Sequence, residues 1–157
     1  MSTDPQPNVA RLGLALQPFA QGDLVVLFRS ESAVEAIHRA LEEIAAPDLV
    51  TLMIGADRGL TGTFHGIHGF TEAWRDYTET FKRLDSEITE LVEVGPDIVY
   101  SETHQTGTTA TGGVEFEYKP AAIFRFADGR LQQAEFHLDR DAARRAAGID
   151  PGHPSGG

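Results

Sequence analysis

The sequence contains no cysteine, so disulfides, thiolate nucleophiles and cysteine-ligated zinc are excluded. Its apolar runs fall well short of the about 20 residues that a membrane-spanning helix needs. Positive charge is also scarce, with 13 basic against 24 acidic residues and a formal net charge of −11. Because nucleic acids and anionic lipid surfaces attract basic proteins, we expect neither a nucleic-acid partner nor a membrane partner.

The first residues also lack the basic start and apolar stretch of a secretory signal peptide, so a cytoplasmic location is expected. Hydrophobic residues make up 41% and charged residues 24%, which is the composition of a folded globular domain. We therefore expect one domain over residues 9–149, with flexible tails at 1–8 and 150–157 where proline, glycine and serine accumulate. Arginine outnumbers lysine, and alanine and glycine are abundant, a composition that suits a GC-rich bacterial genome.

Helical patterns dominate the first half of the chain. The sequence Ser32-Ala-Val-Glu35 is a capping box that opens a helix, and Asp23 can cap a shorter helix before it. Apolar residues recurring every three or four positions predict a longer helix further on. This apolar stripe consists of Ile67, Phe70, Trp74, Tyr77, Phe81 and Leu84. The predicted helices cover Val9–Phe19, Leu24–Phe28, the stretch from Ser32 through Ile44, and the apolar stripe.

Strand patterns dominate the second half. Asp128-Gly129 joins two β-rich runs and supplies the positive φ that a tight hairpin turn needs. Asp139 can then cap a short helix that Gly148 ends. The predicted strands are Leu49–Ile54, Thr61–Phe64, Ser86–Val94, Ile98–Thr106, Val114–Phe126 and Leu131–Leu138. Helices followed by an antiparallel meander indicate an α+β fold.

Four landmarks carry a resemblance to a known family. They are Gln21-Gly22-Asp23, Ala46-Pro47-Asp48, the run from Phe64 to Phe70 that leads into Trp74, and Leu138-Asp139-Arg140-Asp141-Ala142. In their order and spacing, the chain resembles the SnoaL-like branch of the nuclear transport factor two-like superfamily. The resemblance implies a cone-shaped α+β fold, with N-terminal helices packed in a strongly curved, mostly antiparallel sheet around a deep pocket. The stretch between Asp23 and Pro47 is longer than in compact members, which leaves the shape of the pocket mouth open.

That superfamily includes ketosteroid isomerases, polyketide cyclases, dehydratases, epoxide hydrolases and non-enzymatic binding domains, so the fold alone does not assign chemistry. Similarity to the steroid isomerases implies that Thr51 lies where their carboxylate base lies. Ala15 and Ala122 then take the places of the tyrosine and the protonated acid that form their oxyanion hole. Threonine cannot accept a proton as a carboxylate does, and alanine cannot donate a hydrogen bond. Isomerase chemistry of that kind is therefore disfavoured.

Strand alternation assigns side chains to the two faces of the predicted sheet. The concave, pocket-side face would carry Phe116, Tyr118, Pro120, Ala122, Phe124, Phe126, Gln132, Ala134, Phe136 and Leu138. The convex face would carry Glu117, Lys119, Ile123, Gln133 and Glu135. This face pairs subunits in many relatives, so we expect a homodimer through the convex sheet face. His137 also points outward, and we expect it to be exposed or at the dimer interface.

Strand 98–106 holds the catalytic candidates Glu102 and His104. They share one face with Ile98 and Tyr100, whereas Val99, Ser101, Thr103 and Gln105 share the other. If the first face points inward, Glu102 and His104 form a general acid/base pair beside Tyr118, since burial raises a carboxyl pKa toward neutrality. A one-residue change of register would instead put Glu102 and His104 in water. The sequence leaves both registers open.

His65 and His68 form a His-x-x-His pattern without a nearby third ligand, so no metal site is predicted. The expected partner is an apolar small molecule, bound without metal or organic cofactor. Its candidate binding residues are Thr51, Met53, Trp74, Tyr100, Phe124 and Phe136. We predict a pocket protein that, if it is an enzyme, carries out proton-transfer chemistry such as cyclisation, dehydration or isomerisation. The competing hypothesis is a non-catalytic ligand-binding or dimerisation module.

Overall fold

Most of the helices precede the long strands, as predicted. A computed structural model of the protein describes residues 7–55 and 59–149. Its helices are α1 (Asn8–Ala15), α2 (Leu24–Arg29), α3 (Glu31–Ile44), α4 (Gly66–Thr78) and α5 (Arg140–Ala146), with a short 3₁₀ helix at Gln17–Phe19. None of the described helices has the length and apolar character to cross a membrane. The predicted tails lie outside the described residues except for Pro7 and Asn8, and Asn8 begins α1.

The strands form one curved, mostly antiparallel sheet. They are β1 (Gln21–Asp23), β2 (Ala45–Gly55), β3 (Gly59–His65), β4 (Phe81–Gly95), β5 (Ile98–Thr109), β6 (Glu115–Tyr118), β7 (Ala121–Ala127) and β8 (Arg130–His137). The spatial order is β1-β4-β5-β7-β8-β2-β3, and β6 also pairs with β5. Only β2 and β8 run parallel among the described pairs. The α+β fold predicted from the sequence is therefore confirmed.

Side-chain oxygens cap the helices close to the predicted places. Asp23 and Asp139 cap α2 and α5 as expected. The cap of α3 is Ser30 rather than Ser32, and its Oγ accepts a hydrogen bond from the N–H of Ala33 at 3.2 Å. Ser30 takes this role because its backbone is extended, which is the conformation of a residue that precedes a helix.

The helix predicted from the apolar stripe is too long. α4 ends at Thr78, and the last two members of the stripe, Phe81 and Leu84, lie on β4. The register of β4 against β5 shifts between Phe81 and Arg83, so side chains three positions apart both reach the core. A spacing of three apolar residues therefore occurs here in an irregular strand as well as in a helix, and the sequence pattern does not separate the two.

The predicted strand 114–126 is divided into β6 and β7. Lys119 and Pro120 separate them, and proline has no N–H to donate to a strand ladder. β6 pairs with the second half of β5 and β7 with its first half, so the two strands run along the same edge of β5. The turn at Asp128 and Gly129 forms as predicted, with φ angles of 53° and 77°.

Helices α1 to α4 cover the concave face of the sheet, and α5 covers the convex face. The main core joins the first helices to concave-face residues such as Phe124 and Ala134. On the convex face, Ala143 of α5 packs with Tyr100, Ala121 and Ile123. This arrangement corrects the predicted dimer face, because Ile123 is fully buried and Glu135 is nearly so within the single chain. The last helix, rather than a second subunit, covers that part of the sheet.

A histidine pair joins α3 to α4. Nε2 of His38 lies 2.6 Å from Oγ1 of Thr71, and the rings of His38 and His68 are 4.2 Å apart. Burial lowers the pKa of His38 below its ordinary value of 6.5, and the neighbouring His68 and Arg75 lower it further. The folded protein therefore favours the neutral form of His38.

Acidification is expected to weaken this helix contact. Because the unfolded chain protonates His38 more readily than the folded chain, the free energy of unfolding should decrease as the pH falls from 6.5 toward the lowered pKa. Urea unfolding on either side of pH 6.5 measures the effect. His38→Gln should show a smaller pH dependence than the wild type, and an identical dependence would contradict the role of His38.

Candidate functional site

A cavity lies between the concave face of the sheet and the helices. Its volume is about 150 Å³, and it is partly open to solvent. Its wall is largely apolar and includes Met53, Phe70, Trp74, Ala122, Phe124 and Phe136. Because an apolar cavity of about this volume in another protein binds benzene, there is room here for a ligand of at least one ring.

A short chain of hydrogen bonds supplies the polar part of the wall. The Tyr77 hydroxyl donates to Oε1 of Gln105 at 2.8 Å, and Nε2 of Gln105 donates to Oγ of Ser86 at 3.3 Å. Ser101 and Thr103 also line the cavity. Burial raises the pKa of Tyr77, so its hydroxyl stays protonated at neutral pH. These groups can hold a polar atom of a ligand, but they supply no carboxylate base.

Trp74 adds a further polar group to the wall, and it is the only tryptophan in the chain. Its ring is parallel to that of Phe28 with the centroids 6.0 Å apart, and it is nearly perpendicular to the rings of Phe136 and Tyr77 with centroid distances of 4.9 and 5.7 Å. The side chain is 8% exposed. Its indole nitrogen Nε1 has no hydrogen-bond partner within the described part of the chain.

The pairing of β5 decides which of its faces lines the cavity. Ser101 pairs with Ala122, which in turn pairs with Phe136, so these three side chains share the concave face. Ser101, Thr103 and Gln105 therefore face the cavity, and Glu102 and His104 face away from it. The sequence left two registers of this strand open, and the register that directs Glu102 and His104 into the cavity is wrong.

Glu102 lies neither in the cavity nor in water. Its side chain is 3% exposed beneath α5, where its carboxylate accepts hydrogen bonds from Arg144 Nε at 2.9 Å and Nη2 at 2.7 Å. The Tyr100 hydroxyl donates to the same carboxylate at 2.6 Å, and Arg140 Nη1 is 3.5 Å away. The sequence did not indicate this environment because α5 and its arginines are distant from Glu102 along the chain. Glu102 has the contacts of a structural ion pair.

The other two catalytic candidates are at the surface. Nε2 of His104 lies 2.7 Å from Oε2 of Glu117, and both side chains are well exposed. The hydrogen bond from His104 lowers the pKa of the Glu117 carboxyl. Tyr118 is 36% exposed and packs on Phe116 and Phe81 rather than against the cavity. The structure thus does not bring Glu102, His104 and Tyr118 together around a ligand.

Four of the six predicted ligand-binding residues line the cavity. They are Met53, Trp74, Phe124 and Phe136. Thr51 is fully buried but does not line the cavity, and its hydroxyl has no hydrogen-bond partner among the described residues. Tyr100 lies on the convex face with Glu102, because the two residues are separated by two positions on one strand.

His137 points outward as predicted but is not exposed. It is 6% exposed at the end of β8, where it borders the cavity wall, and its Nε2 lies 3.6 Å from Oε1 of Glu135. Burial tends to raise the pKa of Glu135, but His137 and the 2.6 Å bond from Arg125 outweigh it and hold the pKa at about 2. His137 is buried because α5 covers the face of the sheet that the sequence assigned to solvent or to a partner subunit.

The polar wall residues that the sequence prediction missed include Ser86, Thr103 and Gln105. The alternation of β5 contained a usable indication, because the face with Val99, Ser101, Thr103 and Gln105 carries no charge. An uncharged face is the better candidate for a cavity wall, since burying an unpaired charge is costly. Within the described residues, no group of three or more histidine, aspartate or glutamate side chains is placed to hold a metal ion.

Comparison with known proteins identifies related sequences and folds. A model of the SnoaL-like domain matches residues 33–134. A putative SnoaL-like polyketide cyclase from Jannaschia sp. is 16% identical, with 86% of this chain and 90% of that chain covered and a TM-score of 0.59. Comparison with curated proteins finds no match.

Two further solved structures share the fold. A hypothetical protein of ketosteroid isomerase-like fold from Catenulispora acidiphila, solved in complex with trimethylamine, is 13% identical over 94% of this chain and 97% of that chain, with a TM-score of 0.54. A nuclear transport factor two-like protein of unknown function from Burkholderia pseudomallei is 18% identical over 89% and 97%, with a TM-score of 0.55. At these identities the similarity establishes the fold and not the activity.

Proposed function

The chain belongs to the SnoaL-like family, and from that premise we propose that it binds an apolar small molecule in the cavity between the sheet and the helices. The observation that carries the proposal is the wall itself, in which aromatic and aliphatic side chains surround a few uncharged polar groups. Such a composition favours burial of a neutral apolar ligand, with a small number of polar contacts to orient it.

Binding without carboxylate catalysis is the better supported form of this function. The described cavity wall contains no aspartate or glutamate, and its titratable groups are Tyr77 and His137. Glu102, the carboxylate that the sequence favoured as an acid/base group, forms an ion pair with Arg144 on the convex face of the sheet. A general base must reach the proton that it removes, so Glu102 is not placed for that role.

Proton-transfer chemistry on the bound molecule is the second candidate function. It would comprise cyclisation, dehydration or isomerisation without a cofactor. The hydrogen-bonded chain of Tyr77, Gln105 and Ser86 favours it, because a buried hydroxyl can stabilise charge that develops on a ligand oxygen. The structural relative from Jannaschia sp. is described as a putative SnoaL-like polyketide cyclase. A substrate of the polyketide class would match an apolar cavity with a polar end.

Homodimer formation is a separate proposal, and the face available to it is smaller than the sequence suggested. Ile123 and Glu135 are buried within the single chain, so they cannot form the centre of an interface while α5 keeps its position. The exposed remainder of the proposed face is formed by Glu117 and Lys119. A dimer through this region would be polar, and it would leave α5 in place.

Filling the cavity is expected to abolish ligand binding. Ala122→Leu adds three carbons to the wall, so the stabilisation of the wild type by a saturating apolar probe such as α-methylstyrene should disappear in this variant. At a probe concentration 100 times Kd that stabilisation is about 2.7 kcal/mol. Thermal unfolding with and without the probe measures the loss.

The matched control is Ala10→Leu, the same substitution at an exposed position of α1. It should bind the probe as the wild type does. If Ala122→Leu retains cooperative unfolding and is stabilised as much as Ala10→Leu, the ligand does not occupy this cavity and the proposed function fails.

A further inference from the structure

The indole N–H of Trp74 is a hydrogen-bond donor with no acceptor in the part of the chain that the structure describes. The side chain is more than nine-tenths buried, and no described residue accepts from Nε1. A buried donor that lacks a partner destabilises the folded state, so native proteins rarely keep one without a reason. An acceptor on a bound molecule removes this cost.

The surroundings of Trp74 limit where such an acceptor can come from. Phe19, Phe28 and Phe136 are hydrocarbon rings and have no oxygen to accept a hydrogen bond. The remaining ring neighbour, Tyr77, directs its hydroxyl toward Gln105. Trp74 is part of the cavity wall, but its Nε1 is closed to water in the unliganded protein, so an acceptor on a bound molecule reaches Nε1 by displacing the side chains beside it.

We propose that the cavity selects a neutral molecule with a carbonyl-type oxygen, which accepts a hydrogen bond from Trp74 Nε1. This inference rests on the proposed function, and it adds a specificity-determining residue and a chemical class of ligand. The group must be an acceptor, because an indole N–H can only donate. The ligand is neutral because the described wall has no lysine or arginine to balance an anion and no carboxylate to balance a cation, and its one histidine, His137, lies beside Glu135 on the outward face. Ketones, esters and lactones fit this description.

The test uses two probes of nearly the same shape, acetophenone and α-methylstyrene. They differ in that the carbonyl oxygen of the first is replaced by a CH₂ group in the second. Acetophenone should bind roughly ten times more tightly, since it pairs a donor that α-methylstyrene leaves unpaired. Calorimetry or thermal-shift titration measures the two affinities. Equal affinities would overturn the role of Trp74 and leave the proposed cavity function intact.

A spectroscopic readout follows from the single tryptophan of the chain. A proton–nitrogen correlation spectrum contains one indole cross-peak, and acetophenone should move its proton downfield, whereas α-methylstyrene should not. An indole proton that stays unmoved at saturation with acetophenone would overturn the inference. It would mean that the N–H points at an aromatic face such as that of Phe136, as an N–H···π contact.

Replacement of Trp74 by benzothienylalanine exchanges the N–H for sulfur and leaves the ring shape nearly unchanged. Because Trp74 is the only tryptophan, residue-specific incorporation alters no other site. The tenfold preference for acetophenone should vanish in this protein and in Trp74→Phe. Tyr118→Phe, which does not line the cavity, should keep the preference. Binding of neither probe to the wild type would overturn the apolar-ligand function and this inference with it.

Discussion

Replacement of Glu102 by glutamine is expected to lower the free energy of unfolding by about 3 kcal/mol, at the lower end of the range for breaking a buried ion pair. The carboxylate and the Arg144 guanidinium are 3% and 12% exposed, so the arginine would keep its charge with little water to replace its partner. The hydrogen bond from the Tyr100 hydroxyl would weaken as well. Chemical unfolding monitored by circular dichroism measures the loss.

The matched control is Glu117→Gln, which removes a carboxylate from an exposed contact with His104 on the same face of the sheet. Its effect should be small, because water solvates both partners. The double variant Glu102→Leu with Arg144→Met should recover much of the lost stability, since it removes both buried charges. A Glu102→Gln protein as stable as Glu117→Gln would show that α5 does not depend on this ion pair.

Replacement of Gly107 by alanine is expected to destabilise the protein by more than about 3 kcal/mol. A Cβ atom at this position on β5 would overlap the backbone carbonyl of Arg83, and it would also press on the Phe116 ring at 3.1 Å. The obstacle is backbone in the ladder between β4 and β5, which cannot turn aside as a flexible side chain can. Urea unfolding should show a large decrease in midpoint, or the variant should fail to fold.

Gly13→Ala provides the opposite expectation for the same chemical change. Gly13 is in α1. The atom nearest to a Cβ added there would be Leu91 Cδ2 at 3.4 Å, which is an ordinary contact distance. Alanine should stabilise this helix by roughly 0.5–1 kcal/mol, because it restricts the unfolded chain more than glycine does. If Gly107→Ala unfolds at the same urea concentration as the wild type, the strands do not approach each other as closely as described.

Local patterns in the sequence were sufficient for much of the fold. Asp23 and Asp139 cap helices because each has an extended backbone just before the first turn, and its carboxylate accepts hydrogen bonds from free N–H groups of that turn. Asp128-Gly129 makes the hairpin because those residues tolerate positive φ. The concave placement of Phe124 and Phe136 followed from alternation along a strand, and the structure places both in the cavity wall.

The candidate site was harder to predict because it depends on contacts between distant parts of the chain. Alternation grouped Glu102 with Tyr100 correctly, but it did not say which group faced the cavity. A buried carboxylate is compatible with a catalytic site or with an ion pair, and the distinction lies in Arg144, 42 positions away. Likewise, the unpaired N–H of Trp74 is a property of its packed surroundings, and no sequence pattern records it.

The sequence by itself determined most of the order of the helices and strands and the hairpin turn, because these depend on capping, turn chemistry or side-chain periodicity, which act over a few residues. The cone-shaped architecture was implied by the resemblance to the SnoaL-like family. The tertiary structure decided that Ser101 rather than Glu102 faces the cavity and that α5 covers the convex face. Those outcomes depend on how strands pair and which helix packs on them, because the same alternating strand can present either face to the core until its neighbours are in place.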